Sequence, residues 1–310
     1  MVDLAQHPRP LRAAILSLAG ALCFACGALS FRFAAVDIGS GLLAVLQVFF
    51  WERVFGLALL ALSPGRVSLK NWRGNLGAGA LCSAGSLLYY FSLTAAALAV
   101  AVTLTDSHGV LAVVFAAVLV RRRPGGLSVA ALLLAFVGAV LCAGPFGAGA
   151  TSAAGVGASL AAACAFAGTA LWQRHLTAKG SRLKDILFFM YVCAAAPVGL
   201  LLAIKGQLLV SPTVLAFAAG VAVFNLLANA AIVTAQRYGS VALVGSLVYA
   251  AGLFGAVLGW LAFDEVLQTS TLVGIALIIA GGAGTTWAEN RQQQTSAAAR
   301  ASALSTQTNG

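Results

Sequence analysis

Apolar residues run through this chain in blocks of about 20, the length an α-helix needs to cross a ~30 Å hydrocarbon layer. Short polar or basic stretches separate the blocks. Read this way, the pattern predicts ten membrane-spanning helices: Leu11–Phe31, Gly41–Leu62, Gly74–Ala95, Ala97–Val120, Leu127–Gly144, Ala153–Gln173, Ile186–Ile204, Thr213–Gln236, Ser240–Phe263 and Thr271–Ala288. The stretch after Glu289 carries Gln292, Gln293 and Gln294 among many Ala, Ser and Thr residues, and predicts a disordered tail. Arg9 and Arg12 ahead of an apolar run resemble the start of a signal peptide. That run continues to Phe31, however, too long for an h-region, so a retained first span is expected.

Composition agrees with the pattern. Of 310 residues, 61% are hydrophobic and only 8% charged, with a mean hydropathy of +0.98. A soluble domain carries about 25% charged residues, so the expected class is an all-α membrane protein. The net charge of +10 does not point to nucleic acid, because the basic residues sit in short loops rather than on one patch. With the N-terminus placed in the cytoplasm, 15 of the 18 basic residues fall in inside loops, including Arg66, Lys70 and Arg73, the Arg121–Arg123 run, and Arg174, Lys179, Arg182 and Lys184. Arg32 and Lys205 fall outside, and Arg53 lies within span two. This bias predicts two cytoplasmic termini and, for a bacterial chain, the inner membrane.

Ten spans divide into five and five, and an odd half-length inserts the second half upside down. A shift of 143 positions brings Gly109 onto Gly252, Gly138 onto Gly281, Leu104 onto Leu247 and Arg121–Arg123 onto Asp264–Val266. The expected organisation is a first five-helix repeat over residues 1–146, an inverted second repeat over 147–289, a tail over 290–310, and a central cavity between the halves.

The second half ends Phe263-Asp264-Glu265-Val266-Leu267, then Leu272-Val273-Gly274-Ile275-Ala276-Leu277-Ile278-Ile279-Ala280-Gly281-Gly282. This resembles the repeat ending of the drug/metabolite transporter superfamily, EamA type, with its acidic residue after span nine. Arg53 resembles that family's span-two arginine. The resemblance covers about residues 12 to 288. The first half departs from it: Arg122 stands where the acidic residue would repeat, and span four has no proline near His108. The resemblance implies a secondary transporter, and the YddG-type aromatic amino-acid exporters are the branch it most suggests.

Polar residues inside spans are expensive and functional by default. In span four, Thr103-Leu-Thr-Asp-Ser-His-Gly109 places Asp106 about 14 Å from the outer end at 1.5 Å per residue, near mid-membrane. Glu52 in span two and Tyr249 in span nine lie at similar depth, and Tyr249 is the repeat counterpart of Asp106. Asp106 and His108 are two residues apart, about 200° around a regular helix. Either only one faces a path, or the helix is distorted at Ser107–Gly109. Glu52 and Arg53 read as a structural ion pair or as a binding carboxylate with a separate arginine. Tyr89 and Tyr90 read as an interfacial belt or as a wall of the cavity. Trp51 is too deep for a belt and faces lipid or the path. Asn225 and Asn229 share a helix face and read as interhelical glue or as substrate contacts.

Other functions lack parts. There is no Walker A loop and no H-E-x-x-H or G-x-S-x-G motif. The cysteines fall within spans as small apolar filler; Cys23 and Cys26 have CxxC spacing without a second pair. No cofactor and no metal are expected; the partners are a small-molecule substrate and the bilayer. Three readings stand: an exporter of small metabolites, chiefly amino acids including aromatic ones; a multidrug or lipophilic-cation exporter; and an intramembrane enzyme using Asp106 and His108 as acid and base.

Overall fold

The computed structural model describes residues 10–39, 41–109, 151–238, 247–265 and 268–281, with isolated positions between 111 and 141 and between 283 and 291. Most of the expected fifth span, the Arg121–Arg123 run, the start of the ninth span and nearly all of the C-terminal tail lie outside the described residues. The described elements are helices: α1 (Pro10–Ile38), α2 (Leu42–Leu62), α3 (Trp72–Ala95), α4 (Leu98–Asp106), α5 (Ala153–Ala178), α6 (Leu183–Ile204), α7 (Pro212–Tyr238), α8 (Ala250–Phe263) and α9 (Thr269–Gly281). Six of them are long and apolar enough to cross a membrane. The chain is a multi-pass membrane protein.

Apolar counting locates each of these helices but misplaces some ends. α1 continues past Phe31 through Arg32 to Ile38. The charge at Arg32 does not end the helix because its guanidinium is paired with Glu265. α4 stops at Asp106, with a turn at Ser107 before helical residues resume at His108. There the Ser107 hydroxyl donates to the Leu104 carbonyl at 2.6 Å, competing for the backbone acceptor and loosening the helix.

Polar contacts gather the helix ends into two sets. At one end, the Ser152 amide before α5 donates to Ala95 O of α3 at 2.9 Å. The buried Gln47 of α2 there accepts the Leu209 N–H at 3.2 Å and donates to the Gln207 carbonyl, pinning the α6–α7 loop. At the opposite end, Lys184 Nζ donates to the carbonyls of Ser63 and Gly65 past the C-terminus of α2, at 2.7 and 2.6 Å. The Asp185 carboxylate accepts the Ser68 N–H at 2.6 Å. These are the ends that the loop charges assign to the outside and the inside, respectively.

Helices from residues 10–106 pack mainly on helices from 153–263: α1 on α7 and α8, α2 on α6 and α7, α3 on α5 and α6, α4 on α5 and α8. Small residues permit close approach. At Gly79 of α3, a Cβ would stand 2.7 Å from the Phe189 carbonyl oxygen of α6, so only glycine fits that crossing. The largest apolar cluster lies toward the Arg32 end and joins both halves through Phe31, Val48, Phe49, Leu93, Val102 and Val214.

Candidate functional site

α2, α3, α4 and α7 bring a belt of polar and aromatic groups together at mid-span. Asp106 ends the regular part of α4 and is half-buried, yet its Oδ2 atom is fully buried and has no hydrogen-bond partner. Tyr89 of α3, also half-buried, lies close enough to feel its charge. The Tyr89 ring is 5.7 Å from that of Tyr90. Tyr90 and Asn225 in turn lie beside Glu52 of α2, and the Asn225 amide reaches the Tyr90 hydroxyl at 3.5 Å. A line of groups therefore runs from Asp106 through the two tyrosines to Glu52, its first step electrostatic.

Glu52 is buried, and its Oε2 lies 2.9 Å from Arg53 Nε. Neighbouring side chains on a helix point about 100° apart, and the two long side chains bend back to meet. The ion pair lacks hydrogen-bond alignment, so the Glu52 oxygens and Arg53 Nε have no hydrogen-bond partner. The Arg53 guanidinium is held over the Phe49 ring at 5.0 Å and the Tyr191 ring at 5.4 Å, both cation–π distances.

The two tyrosines differ. Tyr90 is a core residue, stacked on Phe31 at 4.4 Å and edge-on to Phe49 at 5.8 Å. Only its hydroxyl end turns to polar neighbours, whereas Tyr89 lies within electrostatic range of Asp106. The turn at Ser107 leaves Asp106 and His108 with different neighbours. His108 Nδ1 lies 3.1 Å from the Thr105 carbonyl, and its ring meets Phe166 of α5 edge-on at 6.1 Å. Tyr249 is buried, and a Cβ at Gly109, just past the turn that ends α4, would stand 2.5 Å from its hydroxyl.

Two expected site residues lie apart from the belt. The Trp51 indole N–H donates to Leu209 O at 2.9 Å, which fixes it to the α6–α7 loop. Asn229 is exposed, and its amide donates to the Asn225 carbonyl of its own helix at 2.7 Å.

Sequence reasoning did not single out Gln47 or Tyr191. Tyr191 packs against Gly56, where a Cβ would lie 2.8 Å from its ring, and the signal was an aromatic residue in mid-span. Thr103 Oγ1 is buried without a partner, and it shares the Asp106 face of α4 at i, i+3 spacing. Gln47 was legible only as a lone amide in an apolar block.

A helical bundle with an unsatisfied carboxylate at mid-span, walled by tyrosine, can receive a polar solute out of water. Residues 153–287 match the EamA-like transporter family. The match spans α5 to beyond α9, the second half of the chain. The matched family is one of transporters. A crystal structure among the solved structures matches with a TM-score of 0.57 at 20% identity, covering 88% of this chain and 98% of its own, which is a likeness of fold. None of the curated proteins matches this chain.

Proposed function

We propose that this chain is a secondary transporter that exports small metabolites, amino acids including aromatic ones, by alternating access between two inverted five-helix halves. The observation that carries this is the line from Asp106 through Tyr89 and Tyr90 to Glu52 and Arg53. An amino acid needs an anion for its ammonium, a cation or amide for its carboxylate and an apolar wall for its side chain. Asp106 has the first, Arg53 and Asn225 have the second, and Tyr89 has the third.

Helix packing supports the inverted halves. Exchanging α1 with α5, α2 with α6, α3 with α7 and α4 with α8 turns the α1–α7 pair into α5–α3. It turns α2–α7 into α6–α3 and α1–α8 into α5–α4, and it returns α2–α6 and α4–α8 to themselves. All of these pairs are in contact. Where the self-paired α4 and α8 approach, glycines stand at equivalent positions, Gly252 within α8 and Gly109 just past α4. Gly109 faces Tyr249, and a Cβ at Gly252 would meet the Thr103 side chain.

Counterflow of radiolabelled amino acids into proteoliposomes, with and without a pH gradient, tests the reading. Saturable tyrosine flux is the expected result, and its absence for every amino acid in the panel overturns the substrate assignment. A gradient requirement would assign proton coupling to Glu52, Asp106 or His108. One observation favours a second reading. Neither of the two ion pairs among the described residues includes Asp106, and such a carboxylate beside an aromatic ring also suits a lipophilic cation. Binding of tyrosine against tetraphenylphosphonium separates the two.

A further inference from the structure

We propose that Glu265 is the latch of a gate at the Arg32 end, holding the two halves closed there and releasing whenever that end opens. The proposal rests on the alternating-access reading above. Its geometry stands on four elements. Asp264 adopts a left-handed conformation (φ 51°, ψ 33°) and reverses the chain as it leaves α8. Among the described residues it is the only non-glycine with positive φ. The reversal folds the Glu265 side chain back over Gly259, where a Cβ would lie 2.5 Å from Oε2. From there the two carboxylate oxygens serve two different helices of the first half. Oε1 pairs with the Arg32 guanidinium of α1, and Oε2 accepts the Leu98 N–H, the first of α4, at 3.0 Å.

One side chain of the second half thus bridges to two helices of the first. An anion at the α4 N-terminus also meets the positive end of that helix. Arg32 lies 4.5 Å over the Phe263 ring, Phe263 is 5.1 Å from Phe33, and Phe33 is 5.6 Å from Phe217 of α7. The latch therefore closes over the apolar cluster that joins the halves at this end.

The chemistry suits a reversible closure. A buried ion pair contributes little net stability, because desolvation offsets most of the Coulomb attraction. When this end opens, water replaces each partner and the cost of separation stays small. A purely apolar seam would expose its whole area with no such compensation.

The test uses the full chain with its native cysteines replaced. Arg32→Cys and Glu265→Cys are joined by a reducible bifunctional thiosulfonate, and tyrosine counterflow is measured. Bridging is expected to slow counterflow by at least about tenfold, and reduction to restore it. Unchanged counterflow in the bridged protein overturns the latch. A second readout does not depend on transport. Val102, 2% exposed and inside the joined cluster, is replaced by cysteine and labelled with a water-soluble maleimide. Adding Glu265→Gln is expected to speed labelling by about tenfold through a population shift toward the open end. An equal rate in both proteins overturns the latch. If tyrosine counterflow is absent from every variant, the transport reading fails, and the labelling rates still decide the latch.

Discussion

Replacing Asp106 with leucine should stabilise the protein while abolishing transport. Asp106 Oδ2 is buried and has no hydrogen-bond partner. A buried polar group left unsatisfied costs about 1–3 kcal/mol. Leucine removes that cost on the same branched four-atom skeleton, and burying it halfway adds about 1 kcal/mol of apolar contact. The rearrangement needed to seat a branched side chain at the end of α4 takes back part of this, about 1 kcal/mol. The net gain is then roughly 1–3 kcal/mol. At about 2–4 °C per kcal/mol for chains of 150–250 residues, the apparent Tm should rise by a few degrees. Unfolding of the solubilised protein, followed by fluorescence at one fixed scan rate, measures the shift, because such unfolding is often irreversible. Counterflow in proteoliposomes measures the function of the same preparation. A lower Tm would mean that the carboxylate is satisfied and structural. Retained transport would mean that it does not meet the substrate. Either result refutes the reasoning.

The Glu52–Arg53 pair is buried, so Arg53→Met alone should destabilise by about 3–5 kcal/mol by stranding a charge, while Glu52→Gln with Arg53→Met should recover most of it; thermal unfolding of the two single variants and the double variant decides. Gly79→Ala should cost about 1–3 kcal/mol, because the added Cβ meets the Phe189 backbone, which cannot swing aside as a side chain can; yield and Tm of the purified variant check this. Gln47→Leu should loosen the α6–α7 loop by removing an acceptor for the Leu209 N–H, and faster amide exchange at residues 207–211 is the expected signature.

Much of the helical plan was legible in the sequence, because a bilayer leaves the backbone few options. Every peptide group must find its partner within its own segment, so a block of about 20 apolar residues reads directly as a helix. The boundaries were less legible where a charge continues inside a helix. Arg32 reads as an end until its partner is known, and that partner lies 233 residues away. The family resemblance marks the acidic pair Asp264–Glu265, but no local pattern carries the bond from Glu265 to the Leu98 amide.

The same division holds at mid-span. By itself the sequence determined which polar residues lie deepest: Glu52, Arg53, Asp106 and Tyr249. Depth is a one-dimensional quantity, set by a constant rise per residue. Tertiary structure alone decided their neighbours. It bent Glu52 and Arg53 into a pair, made Tyr90 a core residue and brought Tyr89 within electrostatic range of Asp106. It also turned Trp51 toward a loop carbonyl and left Asp106 and His108 with separate partners. Which face of a helix meets which other helix depends on close packing among several spans at once, and a single chain's periodicity does not carry that information.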